Sequence, residues 1–295
     1  MIKRITLVLF LCLCIAVSAA ADVFINTEKP ADWEDRELFR LIQANFQSND
    51  AMILQCGGET MLVDGGAEKH WKRLLGYLER NELTDLKYIF NTHPHDDHAG
   101  ALWQILKARG VKAGAFMSAF PKDLQDEWQM KLVKELDGAG IPYQQVSEGE
   151  HITLGNADLV VLRVVSDSVP STDFNSNSAM LHITNGDSTI LLTADVPGRL
   201  QREYLERYTN GELKADIMKA PHHGINAMVH EFLLAVDPQF AFVTNIKGNV
   251  SATRWQLQTR GVPTLFTNEG AIIMETDGHD WYITQQKGLF PVPQQ

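Results

Sequence analysis

Cysteine is scarce in this sequence. Only three occur in 295 residues, and two of them, Cys12 and Cys14, fall in the apolar start of the chain. Without that start Cys56 stands alone, and a single thiol excludes an internal disulfide. The fold must then be held by its core, for which 44% hydrophobic residues suffice. Cys56 lies between Gln55 and Gly57 and reads as a packed small residue rather than a reactive thiol. Long apolar runs are missing beyond residue 17, which leaves no further segment apolar enough to cross a bilayer as a helix. No Gly-x-Ser-x-Gly elbow occurs, so that kind of serine nucleophile is excluded. No linker, low-complexity tract or short repeat divides the chain. Basic residues are in deficit: Lys and Arg total 26 against 37 Asp and Glu, a net charge of −11. A field of that sign opposes long nucleic acid.

The start of the chain differs from the rest. Lys3 and Arg4 precede an apolar run from Ile5 to Val17, and Ser18-Ala19-Ala20-Ala21 is small. This is the pattern of a secretory signal peptide over residues 1–21, followed by a single domain over 22–295. Neither Cys12 nor Cys14 follows the small residue that a lipoprotein cleavage site requires. The mature protein is therefore expected in the periplasm or outside the cell, without stable membrane insertion. Loss of Lys3 and Arg4 takes the net charge from −11 to −13. A bound cation would still dominate its own neighbourhood and let the chain accept a small or polymeric anionic substrate.

Apolar spacing predicts a helix from Trp33 to Asn45, then a hairpin of strands 51–54 and 60–63 around Gly57-Gly58. Trp71, Leu74, Leu75 and Leu78 set a helix within 67–82. A strand at 87–91, helices at 101–109 and 121–137, and a strand at 159–165 follow. Asn185-Gly186 marks a second hairpin between strands 180–184 and 189–193. Beyond it come a helix at 198–208, a strand at 216–219, helices at 226–236 and 251–260, and strands at 240–244, 264–266 and 271–275. Two halves, each of strands followed by helices, suggest two packed sheets with helices outside.

Thr92-His93-Pro94-His95-Asp96-Asp97-His98 is the densest chemistry in the chain. Three imidazoles and two carboxylates fall within six positions, directly after the apolar run Tyr88-Ile89-Phe90. Neutral imidazole nitrogen and carboxylate oxygen form a donor set suited to Zn²⁺, and Mn²⁺ or Fe²⁺ also accept it. On an extended loop His93 and His95 point the same way and can grip one ion, while Asp97 and His98 can grip another beside it. Three further candidates follow strands: Asp64, Asp195 and the pair His222-His223. The remaining histidines have plainer readings. His151 and His182 sit in strand patterns, while His70, His230 and His279 sit on helix faces or in a turn. Lys219 reads as solvated, although its place before the His pair would let it meet an anionic substrate.

The His-x-His-x-Asp-His string resembles the defining motif of the metallo-β-lactamase superfamily. Asn49-Asp50-Ala51 through Asp64-Gly65-Gly66 resembles that family's opening hairpin, and Leu191-Leu192-Thr193-Ala194-Asp195 its strand ending in a bridging Asp. Asp216-Ile217-Met218-Lys219-Ala220-Pro221-His222-His223-Gly224 and the tail from Gly261 to Ala271 are similar to one branch, the hydrolase domain of ComEC-type DNA-uptake proteins and the phosphorylcholine esterases. The resemblance spans roughly residues 47–284.

It implies a four-layer αββα sandwich of the α/β class, with two mixed sheets face to face. It also implies two zinc ions per chain: His93 and His95 on the first, Asp97 and His98 on the second, and Asp195 bridging them. His223 or His222 would complete the second site, the other meeting the substrate. Asp97 would also orient the nucleophile, a metal-activated water. One departure concerns the position four before Ser178, where many family hydrolases carry His and this chain carries Phe174. Asp173, Asn175, Asn177 or a water would then take the third place on the first ion. The branch implies a phosphodiester substrate. Two alternatives stay open: a β-lactamase or other amide, ester or lactone hydrolase, and a metal- or ligand-binding protein without catalysis.

Overall fold

The computed structural model describes residues 21–165 and 171–292. The signal-peptide segment therefore lies outside the described residues, apart from Ala21. Among them no helix is long and apolar enough to cross a membrane.

Two mixed sheets stack with helices outside them. The first begins with β1 (Val23–Ile25), β2 (Phe39–Gln43), β3 (Met52–Cys56) and β4 (Glu59–Val63). It continues through β5 (Asp85–Asn91), β6 (Lys112–Ser118) and β7 (Tyr143–Gln145). The second is built from β8 (His151–Leu154), β9 (Ala157–Leu162), β10 (Met180–Asn185), β11 (Ser188–Leu192), β12 (Ile217–Lys219), β13 (Phe240–Val243) and β14 (Thr264–Phe266). The chain then returns to the first sheet as β15 (Ala271–Thr276) and β16 (Trp281–Gln286). Spatial order is β1-β16-β15-β2-β3-β4-β5-β6-β7 in one sheet and β14-β13-β12-β11-β10-β9-β8 in the other.

Strand periodicity of two explains the layering. In β3, Met52, Leu54 and Cys56 enter the core shared by the two sheets, while Ile53 faces the other way. In β13, Phe240 and Phe242 enter that shared core, and Ala241 and Val243 face outward. The outer face of the first sheet is covered by α1 (Trp71–Arg80), α2 (Asp96–Lys107) and α3 (Glu127–Ala139), through Leu74, Leu78, Leu102, Ile105, Leu132 and Leu136. On the second sheet α4 (Gly198–Arg207), α5 (His230–Val236) and α6 (Ser251–Thr259) do the same through Leu200, Tyr204, Phe232 and Leu257. The result is the α/β/β/α sandwich. Cys56 is buried in the shared core, its thiol donating to Asn156 Oδ1 at 2.7 Å.

Several elements differ from the periodicity reading. The helix expected over Trp33–Asn45 is a short 3-10 turn at Trp33–Asp35 followed by β2. Alternating Phe39, Leu41 and Gln43 are buried because β2 is zipped between β3 and β15, the latter some 230 residues later. α2 begins at Asp96 rather than 101, so the end of the His motif is the helix's first turn. Asp96 and Asp97 there complement the positive end of the helix dipole. α3 starts at Glu127, not 121, because Asp126 caps it by accepting from Trp128 N and Gln129 N. The strand read as 159–165 is β9, ending at Leu162, and the helix read from 226 is α5, starting at His230.

Candidate metal centre

β4 and β5 are parallel neighbours in one sheet, and β11 and β12 in the other. The ends of these four strands deliver Asp64, the 92–98 loop, Asp195 and His222-His223. Four of the residues there, Asp64, Ala194, His222 and His223, hold positive φ angles of 46–54° without being glycine. Strain of this kind persists only where the surroundings over-determine it, and it gathers at functional sites.

Asp195 is the hub. Its Oδ2 lies 3.2 Å from His223 Nε2, 3.3 Å from His98 Nε2, 3.8 Å from His93 Nε2 and 3.9 Å from His222 Nε2. His95 presents Nδ1, 3.1 Å from His93 Nε2. Asp97 Oδ2 lies 3.2 Å from His223 Nε2. The structure thus gathers His93, His95, Asp97, His98, Asp195, His222 and His223 in one cluster.

The outward nitrogens of His98 and His223 are tethered, which fixes those two rings. Asp64 Oδ2 is 2.7 Å from His98 Nδ1, and the same carboxylate accepts from Thr92 N, Thr92 Oγ1 and Asn91 Nδ2. Thr244 Oγ1 is 2.8 Å from His223 Nδ1. Carboxylate or hydroxyl partners of this kind orient a ligand imidazole and set which nitrogen faces the metal. Asp64 is accordingly a supporting residue.

Asp50 and Lys219 form the floor, and sequence reasoning placed neither there. Lys219 is wholly buried, not solvated as expected: its ammonium is 2.7 Å from Asp50 Oδ2 and donates to Ala194 O at 2.8 Å. A charge can be buried only when it is paired in this way. Its position between apolar Met218 and Ala220-Pro221 was the available signal. Asp50, His98, Asp195 and His223 can place one donor atom each within 4.8 Å of one another, so Asp50 is itself a candidate metal donor. Its carboxylate, however, meets the outward nitrogens, His223 Nδ1 at 3.3 Å and His98 Nδ1 at 3.9 Å. We therefore read Asp50 as an orienting group.

Charge is packed tightly. Burial raises the Asp195 carboxyl, but His223 and His98 overcome it and hold it well below the usual carboxylate range. Burial lowers His98, yet Asp195 and Asp64 push it up to about 10. His93 is driven well below its ordinary value by burial and by His98. His98 Nε2, His223 Nε2 and Asp195 Oδ1 are buried with no hydrogen-bond partner among the described residues. Buried polar atoms converging without partners are what a metal site requires, and the donor set of imidazole and carboxylate fits a divalent ion.

Phe174 stands where the family His was sought. Its ring packs on His95 and Phe120, with centroids 5.5 and 5.6 Å apart. Of the three polar residues considered beside it, Asp173 accepts from Ser176 N and Oγ, and its carbonyl accepts from Asn177 N and Nδ2. Both thus contribute to the turn of their own loop. Asn175 makes a contact with the cluster, its Nδ2 3.3 Å from His222 Nε2. His151 and His182 keep their plain readings: His151 is exposed beside Asp158, and His182 donates to Lys214 O.

The chain is similar to known proteins. A curated relative, ComE operon protein 3 of Bacillus subtilis (strain 168), is 25% identical over 179 residues, covering 60% of this chain and 22% of its own length. The chain therefore spans about a fifth of the relative it matches. Among solved structures, the metallo-beta-lactamase fold protein YhfI from Bacillus subtilis superposes with a TM-score of 0.50 at 12% identity, over 78% of this chain and 95% of that one. CmlA, a diiron beta-hydroxylase from Streptomyces venezuelae, gives 0.50 at 12% identity over 78% and 52%. At such identities these two likenesses speak for the fold alone. The sequence profile described as Metallo-beta-lactamase superfamily matches residues 44–239, from just past β2 to beyond the His222-His223 turn. With that match spanning most of the chain and both halves of the metal centre, this protein belongs to the metallo-beta-lactamase superfamily.

Proposed function

We propose that the protein is an exported hydrolase acting on phosphodiester-type substrates with two divalent ions, zinc by preference, held on either side of Asp195. One observation carries the reading: four imidazole nitrogens lie within 3.9 Å of the single oxygen Asp195 Oδ2. One carboxylate facing two groups of imidazoles suits a bridging ligand. His93 and His95 form the first group, and Asp97, His98 and His223 the second. We leave His222 on the substrate side, because the nitrogen it turns toward Asp195 is the one that meets Asn175 Nδ2 at 3.3 Å. A bound metal pair supplies a water of lowered pKa and an electrostatic clamp for charge developing on the substrate.

The chain's own residues do the rest. The Asp97 side chain keeps 37% of its surface exposed, while Asp195 and His223 are buried. It therefore faces the substrate side and is placed to orient the attacking water. Asp64, Thr244 and the Asp50–Lys219 pair hold the His98 and His223 imidazoles in one tautomer and rotamer each. Similarity to ComE operon protein 3 and the branch-like motif around His222-His223 favour a phosphodiester over a β-lactam. The apolar run before Ala21 supports export.

The test is a panel of chromogenic phosphodiester, lactone and cephalosporin on purified mature protein, with and without chelator. The expected result is chelator-sensitive phosphodiester hydrolysis that His95→Ala and Asp97→Ala abolish. Preferential hydrolysis of the cephalosporin, or full activity of both variants, overturns it. A second reading, metal or ligand binding without catalysis, rests on Phe174. It predicts bound metal with no turnover across the panel.

A further inference from the structure

A cavity of about 590 Å³ opens beside the metal centre. Asp97 lines one part of it, and Lys69, His70 and Arg73 line another, so a single void joins the proposed reaction centre to a cationic wall. Its remaining wall is well anchored. Ser48 Oγ donates to Asn245 Oδ1 at 2.9 Å, and Asn49 Oδ1 accepts from Ala67 N at 2.7 Å.

The cationic wall is not neutralised. Arg73 is half-buried, and its guanidinium is held only by neutral acceptors. Nε and Nη2 donate to Phe290 O at 3.0 and 2.7 Å, Nη2 also approaches Asn45 Oδ1 at 3.5 Å, and Nη1 lies 3.4 Å from His70 Nδ1. Among the described residues neither Arg73 nor Lys69 has a carboxylate within ion-pair distance. Arg73 Cζ sits 4.8 Å from the Phe46 ring centre, and His70 stacks on the same ring at 4.6 Å and 8°. These contacts on one ring hold both side chains. Arginine cannot accept a hydrogen bond, so His70 Nδ1 is the acceptor there and its proton is on Nε2. Of the guanidinium's five N–H groups, one on Nη1 remains to be used. Asp96 lines the same cavity, its Oδ1 accepting from Glu68 N at 3.1 Å, and it makes no ion pair with Lys69 or Arg73 among the described residues.

We propose that this cavity is a subsite for a second anionic group on the substrate, of the phosphate class, held by Lys69, His70 and Arg73 while the scissile group lies at the metal centre. A fixed guanidinium with an ammonium at the rim is the arrangement that recognises a tetrahedral dianion. The chain as a whole is acidic, so a local cationic wall selects a short substrate bearing two phosphates rather than a long polyanion. This inference rests on the phosphodiesterase reading for its substrate but not for the binding of the anion.

The test uses the metal-loaded protein and inorganic phosphate as probe. The His70 ring proton signals, assigned by comparison with His70→Gln, should shift saturably as phosphate is added. Lys69→Ala, an exposed substitution that leaves the fold intact, should weaken that response about tenfold, and Arg73→Gln at least as much. In kinetics, Lys69→Ala should raise KM about tenfold for a nitrophenyl phosphodiester carrying an additional terminal phosphate. It should leave kcat, and both constants for bis(4-nitrophenyl) phosphate, unchanged. A saturable His70 response in a protein that cleaves no phosphodiester would retain the subsite and overturn the reaction. Cleavage without a His70 response, or the same response in Lys69→Ala, would overturn the subsite.

Discussion

The ammonium of Lys219 and the carboxylate of Asp50 meet at 2.7 Å with neither side chain exposed to solvent. One is in the strand that ends at the His pair, the other in the loop before β3. The contact therefore ties the two sheets together beneath the metal centre. Asp50 also reaches His223 Nδ1, and Lys219 donates to Ala194 O next to Asp195. Breaking such a pair strands a charge in the interior. Lys219→Met should destabilise the protein by about 3–5 kcal/mol, measured by denaturant unfolding. Asp50→Asn combined with Lys219→Met should recover part of that loss. A double variant less stable than Lys219→Met would show that the pair is not the source of the cost.

Asp64 touches no inward-facing nitrogen, yet it holds His98 from behind. Removing it should loosen the ring without removing a donor. Asp64→Ala is expected to weaken metal binding about 10–100-fold, read by competition against a coloured chelator. Unchanged affinity would mean that the His98 ring is fixed by packing alone.

His70 carries the clearest acid sensitivity away from the metal centre. Burial, with Arg73 and Lys69 nearby, lowers it from 6.5 to about 4. Between those values the unfolded chain takes up a proton that the folded chain refuses. Its contribution to stability is therefore present above about pH 6.5 and falls as pH drops toward 4. His70→Gln should flatten the stability profile in that window, and thermal unfolding between pH 4 and 7 checks it. An identical slope in the variant would contradict the assignment.

How much of this was legible in the sequence follows from the range of each interaction. The 92–98 loop, the two hairpins and the amphipathic helices are local patterns of spacing and turn residues, and they read directly. β2 did not, because Phe39 to Gln43 becomes a strand only when β15 pairs with it from the far end of the chain. Asp50 and Lys219 are 169 positions apart, and each alone looks like an ordinary surface charge. Lys219 between Met218 and Ala220-Pro221 carried a hint, since a lone cation in an apolar strand must find a buried partner. Phe174 was visible as a departure from the motif, but its consequence was not. Only the fold brings Asn175 to His222.

Counting metal on the purified mature protein tests the central claim most directly. Two divalent ions per chain are expected in the native sequence, with both lost in Asp195→Ala because its carboxylate faces both imidazole groups. Asp195→Ala that retains two tightly held ions, or a native protein that is fully active with none, would contradict the account.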